Sequence, residues 1–316
     1  MHNLNIFLLK VDLIQIFAHI HNFNYKKIFY DILVIKMSES IIFFLILFSA
    51  FLHAGWNLII KSFNNSLSAM GIKMILHSII CIPVIFFIPY PTGITWLFLI
   101  ASVLIHNLYF IILGISYNKG DLSYIYPIAR GCSPVFITIL SLLFLNDQVS
   151  FAGWIGIIIA SFGLMFLTFN DIKNRINLDV IKLALLVSLT ICLYTLCDAA
   201  GVRSSSNNFS YIVWLFALDG WFIFSYACYK NKNIFSNINL RGFGLIVLAS
   251  IMSFSGYGIV IWSMNYTEIG YVSSIREASI IIATLFGFVF LKERFSLKRI
   301  LASVLFFLGI SVIYLA

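Results

Sequence analysis

The chain has 316 residues, 61% of them hydrophobic and 10% charged. A soluble domain carries about 25% charged and 45–50% apolar residues, so most of this chain has lipid, not water, for its solvent. With 32 Phe, 17% aromatics, 18 Gly and 5 Pro it is neither disordered nor collagen-like, and its formal charge of +8 lacks the basic block with interleaved aromatics of a nucleic-acid surface. No nucleic-acid partner is expected, and the excess of Lys and Arg reads as loop topology.

In chain order, residues 1–36 mix Lys10, Asp12, Lys26, Lys27 and Asp31 with short apolar pieces, and show neither a continuous span nor a clear secretory signal. Met37-Ser38-Glu39 leads directly into the first strong span. Met37 is therefore read as the start, and 1–36 as an over-called extension or an interfacial segment. Ten runs long enough to cross a bilayer follow, at 41–60, 70–89, 94–117, 122–145, 151–169, 181–200, 209–229, 243–265, 269–291 and 297–316. The breaks carry turn chemistry: Pro89-Tyr90-Pro91-Thr92-Gly93, Asn118-Lys119-Gly120-Asp121, Asn146-Asp147-Gln148 and Ser204 to Asn208. Cys81, Cys132, Cys192, Cys197 and Cys228 sit in apolar runs without C-x-x-C spacing and read as small buried hydrophobes. His53, His77 and His106 fall in three different spans with no metal-ligand spacing, so no metal or other cofactor is expected.

The chain repeats itself. Sliding 117–170 onto 263–316 lays Arg130 on Arg276, Ser133 on Ser279, Thr138 on Thr284, Asp147 on Glu293 and Gly163 on Gly309, with seven identities in 54 positions. Two matched mid-span arginines weigh more than the identities, because charges there are rare. A second offset places His53-x-x-x-Asn57 over Tyr194-x-x-x-Asp198. The expected fold is an all-α integral membrane protein of ten transmembrane helices. They form two five-helix repeats, 37–170 and 171–316, inverted because each holds an odd number of spans.

The segments His53-Ala54-Gly55-Trp56-Asn57 with Lys61, then Tyr124-Ile125-Tyr126-Pro127-Ile128-Ala129-Arg130-Gly131, and the Arg276-Glu277 span ending Leu291-Lys292-Glu293-Arg294, resemble the EamA-type branch of the drug/metabolite transporter superfamily. The resemblance covers 41–316. It implies a multi-pass protein of a plasma or bacterial inner membrane that moves a small metabolite through a central cavity lined mainly by spans 1, 3, 4, 6, 8 and 9. It names no substrate, and leaves open monomer or homodimer and the use of protons.

Arg130, Asp198, Asp219, Arg276 and Glu277 lie inside spans, where a charge costs about 2.5–3.5 kcal/mol on insertion scales and must face protein. Arg130 and Arg276 are read as substrate-cavity residues, with a structural ion pair as the alternative; paired guanidinium forks favour an anionic or zwitterionic substrate. Glu277 is the candidate for proton coupling, since a carboxyl can take up and release a proton. His53, Trp56 and Asn57 make one helical face, and Tyr194 with Asp198 the matching face in the second half; all five are candidate substrate contacts. Asp198, near a helix end, is expected to be partly hydrated, and Asp219 to make a structural hydrogen bond. Tyr124 and Tyr126 read as interfacial belt. Pro127 and Pro134 should break or kink span 4, with no counterpart in span 9. Ser250, Ser253, Ser255, Gly256 and Gly258 read as a close-packing face of span 8.

The rival reading is a membrane enzyme acting on a lipid-linked or small-molecule substrate. Asp198-Ala-Ala-Gly-Val-Arg203 resembles the opening of an alcohol-phosphotransferase motif, but no later Asp-x-x-x-Asp follows and there is no G-x-S-x-G. Counting basic residues in and beside loops gives thirteen, Lys73 included, on the side of loops 1–2, 3–4, 5–6, 7–8 and 9–10, against Arg203 opposite. The positive-inside rule then puts both termini outside the cytoplasm, whereas many proteins of the resembled family keep both inside.

Overall fold

A computed structural model describes residues 24–119, 122–168, 178–236, 238–291 and 297–316. The chain divides into two units, Met1–Phe44 and Leu45–Ala316. The described residues are helices and short connections: α1 Asn24–Lys61, α2 Ser66–Ile85, α3 Ile94–Lys119, α4 Leu122–Phe144, α5 Phe151–Met165, α6 Leu178–Ser204, α7 Asn208–Lys230, α8 Leu240–Ser263, α9 Ile269–Arg276, α10 Ala278–Leu291 and α11 Leu297–Leu315. Within α1 the membrane-compatible stretch is Glu39–Lys61. The described helix reaches back to Asn24, ahead of the expected first span; the rest of the expected leader, like Gly120-Asp121 and Lys292-Glu293-Arg294, lies outside the described residues.

Among the described residues, nine segments of 18 residues or more are apolar enough to span, with α9 and α10 together making one of them. The tenth span is α5, only 15 residues long. Its 3₁₀ turn Phe166–Thr168 rises faster per residue and brings the whole to roughly 28 Å, close to the hydrocarbon thickness. The fold class is therefore the expected one, ten spans in two inverted halves.

Turn chemistry sets the connections. Gly93 and Asn146 both adopt positive φ, 52° and 56°, a region where a side chain other than that of Asn or Asp is strained. The N-termini of α2 and α7 are built alike: Asn65 accepts from the Ser68 N–H and Asn207 from the Ser210 N–H, each at 3.0 Å. These caps mark equivalent starting points in the two halves.

Repeat-equivalent helices meet each other at two places. The packing of α2 on α7 is the most extensive in the molecule, and α5 on α11 is comparable. An element that touches its own equivalent lies on the pseudo-two-fold axis, and its contacts must be reciprocal. They are. A Cβ at Gly163 would meet the Phe306 nitrogen at 2.7 Å and the Ala302 carbonyl at 3.1 Å, while one at Gly309 would meet the Gly156 carbonyl at 2.7 Å and the Ala160 Cα at 2.8 Å. Gly156 and Ala160 are the repeat mates of Ala302 and Phe306. Small residues thus let two backbones touch where lipid offers no hydrophobic push.

Two helices depart from expectation in opposite directions. α4 runs unbroken through Pro127 and Pro134. The Arg130 carbonyl, which Pro134 cannot serve, accepts from the Ser133 hydroxyl at 3.2 Å instead. Span 9, with no proline, is interrupted at Glu277. There, i to i−3 bonds replace the helical ones: the Glu277 N–H to the Ser274 carbonyl at 3.2 Å and the Ile280 N–H to the Glu277 carbonyl at 3.0 Å.

The axis contact gives a direct test. Gly309→Val should lower the thermal midpoint in detergent by several degrees, the effect of about 1–3 kcal/mol of overpacking. Gly114→Ala, whose added Cβ meets nothing within 4 Å, should not lower it. An unchanged midpoint for Gly309→Val would refute the close approach.

Candidate functional site

The break at Glu277 has an evident cause. Successive residues there must reach partners on different helices. The Arg276 guanidinium lies over the ring of Tyr257 on α8, 5.1 Å from its centroid, while Glu277 meets Arg130 on α4, Nε to Oε2 at 2.8 Å. A tightened turn separates neighbouring side chains by about 120° instead of 100°. Arg130 and Glu277 are both sealed from solvent, at 3% and 1% exposure. The pair cancels two charges that could not stand alone in lipid. Arg276, by contrast, has no carboxylate within 4.0 Å among the described residues.

Tyr257 does two things. Its ring carries Arg276, and its hydroxyl donates to Oδ2 of Asp198. Asp198 also accepts from Ser102 at 2.5 Å and from Tyr211 at 3.0 Å, both at Oδ1. It is wholly buried inside α6, which corrects the expected partly hydrated position near a helix end: hydroxyls from α3, α7 and α8 replace water. Tyr194, one turn earlier, stacks on His106 with centroids 4.0 Å apart and meets Tyr109 edge-on at 5.8 Å. Tyr126 also turns inward, its ring 5.8 Å from the Arg130 guanidinium carbon, and so does not belong to an interfacial belt. The Tyr124 side chain lies outside the described residues.

The face expected on α1 is only partly available. His53 meets Trp56 edge-on at 5.1 Å and feels the charges of Arg276, Arg130 and Lys73. Asn57 spends its amide on its own helix, donating to the His53 carbonyl at 2.7 Å. The structure therefore gathers Arg130, Glu277, Arg276 and His53 into one charged neighbourhood, joins Asp198 to it through Tyr257, and turns the Asn57 amide back on α1.

Sequence reasoning missed Lys73. Counted as a loop charge, it is 2% exposed within α2. Its ammonium lies 3.9 Å from the Trp56 ring centroid and donates to the Ser253 hydroxyl at 2.9 Å. The signal was present: Lys73 stands two turns beyond the Asn65 cap, too deep for a helix end. Ser250 donates to the Lys73 carbonyl at 2.8 Å, and its own carbonyl pairs with His77 Nε2 at 2.9 Å. The small residues of α8 thus bond as well as pack. Among the described residues Asp219 does not make the expected structural hydrogen bond; its Oδ1 is buried without a partner there.

A separate polar cluster ties the loops at 86–93, 145–150, 205–207 and 264–268. Arg203 pairs with Asp147 at 2.6 Å and donates to the carbonyls of Met264 at 2.8 Å and Thr267 at 3.3 Å. The second Asp147 oxygen accepts from the Ile269 N–H at 2.8 Å, serving the start of α9 where Glu268 makes no side-chain cap. Ser210 donates to the Pro89 carbonyl, and Thr95 to the Ser204 carbonyl at 3.1 Å.

Ten spans in two inverted halves, with charges gathered where the halves meet, define a multi-pass integral membrane protein. Residues 40–169 and 180–315 each match the EamA-like transporter family, and the chain belongs to that family: it is a membrane transporter of the drug/metabolite type. A solved structure titled only "Crystal structure of protein" aligns with a TM-score of 0.67, over 88% of this chain and 98% of that one, at 13% identity. At that identity the likeness shows the fold alone. No curated protein sequence matches the chain.

The loop cluster can be tested by itself. Arg203→Gln should lower stability by about 1–3 kcal/mol by stranding a buried carboxylate. Asp147→Asn combined with Arg203→Gln should be less than additive by about 0.5–3 kcal/mol. Thermal midpoints of the two single variants and the double variant measure this; strict additivity would show that the two side chains do not act together.

Proposed function

We propose that this protein is a secondary transporter that moves a small anionic or zwitterionic metabolite by alternating access, with Arg276 as the anchor for the carboxylate or phosphate of its substrate. The observation that carries the reading is the contrast between two repeat-equivalent arginines. Arg130 is spoken for by Glu277 at 2.8 Å. Arg276 is also buried, and among the described residues it has the Tyr257 ring face beneath it and no carboxylate within 4.0 Å. A guanidinium in lipid without a carboxylate is expensive, and a bound anion relieves that cost through bidentate hydrogen bonds. His53, Trp56 and Tyr194 stand in this reading as neighbours that shape the substrate's surroundings, and Asp198 as the group that steadies Tyr257. The polar ties around Arg203 support a state closed at the face of loops 86–93, 145–150, 205–207 and 264–268. Coupling to protons belongs to the same reading.

Arg276→Lys keeps the charge and loses the planar fork, so transport should fall at least about tenfold, equivalent to about 1.4 kcal/mol, with a near-normal thermal midpoint. Arg130→Lys should be milder, because an ammonium still answers Glu277. Arg130→Met should instead lower stability by about 3–5 kcal/mol, as expected when one partner leaves a buried pair, and Arg130→Met with Glu277→Gln should recover most of it. The measurements are thermal midpoints and uptake into proteoliposomes of small carboxylates, phosphates and zwitterions that first raise the midpoint of the wild type. Normal uptake in Arg276→Lys, or stabilisation by organic cations alone, would overturn the assignment.

A further inference from the structure

Among the described residues, Asp219 and Lys73 are the two buried charged groups that the transport reading leaves unused. Asp219 lies twelve residues past its cap Asn207, and His77 lies twelve past Asn65. These are equivalent positions on α7 and α2, the helices that meet on the axis. Contact there is tight: Ser78 donates to the Phe216 carbonyl at 3.0 Å, and a Cβ on Gly220 would fall 2.5 Å from the Ser78 hydroxyl. Asp219 is 8% exposed, and its buried Oδ1 has no hydrogen-bond partner among the described residues. Among the described residues, the ionisable side chains buried or half-buried on helices packed against α7 are Lys73, His77 and Cys81 on α2, His106 and Tyr109 on α3, Cys192, Tyr194, Cys197 and Asp198 on α6, and Tyr257 on α8. Of these, Lys73 and Asp198 act electrostatically on Asp219.

Three facts fix what the pair can do. A buried carboxylate oxygen without a hydrogen-bond partner lacks the donors that would hold its charge. The neighbouring Asp198 carries three hydroxyl donors and repels a second negative charge. The cation that could answer Asp219 is not bonded to it: no Lys73–Asp219 ion pair exists within 4.0 Å among the described residues, and the ammonium rests on Trp56 and Ser253. That arrangement is the one suited to a neutral Asp219. Lysine's long flexible stem offers a second arrangement, in which the ammonium leaves Trp56 for the carboxylate.

We propose that Asp219 is a proton-binding site of this transporter, and that Lys73 transmits its charge to Trp56. A proton taken from water bonds to a carboxylate oxygen of Asp219, and Lys73 then sits on Trp56 and Ser253. When the O–H bond breaks and the proton returns to water, the ammonium pairs with the carboxylate and leaves the Trp56 ring. Trp56 packs edge-on against His53, which stands in the field of Arg276 and Arg130, so protonation on the axis is felt beside the anion anchor. This deepens the transport reading above and moves the coupling proton from Glu277, already engaged by Arg130, to Asp219.

The test needs no substrate, so its result is independent of the Arg276→Lys experiment. Wild-type protein and the variants Asp219→Asn, Glu277→Gln and Lys73→Met, each in detergent, are titrated with acid and base while the infrared band of protonated carboxyl groups is followed. In parallel, fluorescence is read from protein whose other tryptophans are replaced by Phe, leaving Trp56. Wild type should show a carboxyl band that disappears as pH rises, together with a change in Trp56 emission. Asp219→Asn should lose both, Glu277→Gln should keep both, and Lys73→Met should keep a carboxyl band but lose the emission change. Should Asp219→Asn fail to fold, wild-type protein carrying 13C-labelled aspartate carboxyls replaces it, and the band must shift. A band that survives in Asp219→Asn, does not shift with labelled aspartate, or disappears in Glu277→Gln overturns the proposal, as does an emission change that persists without Lys73.

Discussion

The ion pair between Arg130 and Glu277 is the contact on which the charged centre depends. It joins α4 of the first half to the α9–α10 junction of the second at 2.8 Å. In a medium of low dielectric, neither charge is tolerable alone, so span 4 and span 9 are held together by a cost neither can escape. The same pair fixes the break in span 9. A regular helix could not turn Glu277 to α4 and Arg276 to Tyr257 on α8 at once, and the local i to i−3 bonding is the backbone's adjustment to both demands.

Duplication supplied two arginines but only one carboxylate. The residue after Arg276 is Glu277; the repeat-equivalent residue after Arg130 is Gly131. Gly131 faces α5 so closely that a Cβ would lie 2.6 Å from Met165 Cγ and 3.1 Å from the Ser161 carbonyl, leaving no room for an acidic side chain. Packing in one half therefore decides electrostatics in the other. The symmetric pair expected from the sequence becomes an Arg130 paired with Glu277 and an Arg276 with no carboxylate within 4.0 Å among the described residues.

The spans, the duplication and the family were legible because each is written in local pattern: apolar runs of bilayer length, turn residues between them, and a fixed offset between the halves. The pairing of Gly163 with Gly309 was legible too, and reciprocal packing of α5 on α11 is its physical meaning. What escaped were properties set by distant partners. Asp198 looked accessible because the length of α6 beyond it was unknown and its donors arise 96, 13 and 59 residues away. Lys73 passed for a loop charge because the expected span began at residue 70, only three positions before it, whereas the helix starts at Ser66. Proline signalled a break in span 4 that a serine hydroxyl repaired, while the real break needed no proline because side-chain demand produced it.

Tyr257 shows how these pieces combine. Its ring face is the only described support beneath Arg276, and its hydroxyl is anchored to Asp198. Asp198 is held in turn by Ser102 on α3 and Tyr211 on α7. The orientation of one ring is thus set by three helices besides its own, and a shift of α3, α6 or α7 must change the surface on which the guanidinium rests. Arg276 stands at the C-terminal end of α9, whose N-terminal end is held by Asp147. Eight residues of helix, about 12 Å at 1.5 Å per residue, connect the loop cluster around Arg203 to Arg276. The loop cluster and the guanidinium are therefore joined by one continuous piece of helix, which ends where the break at Glu277 begins.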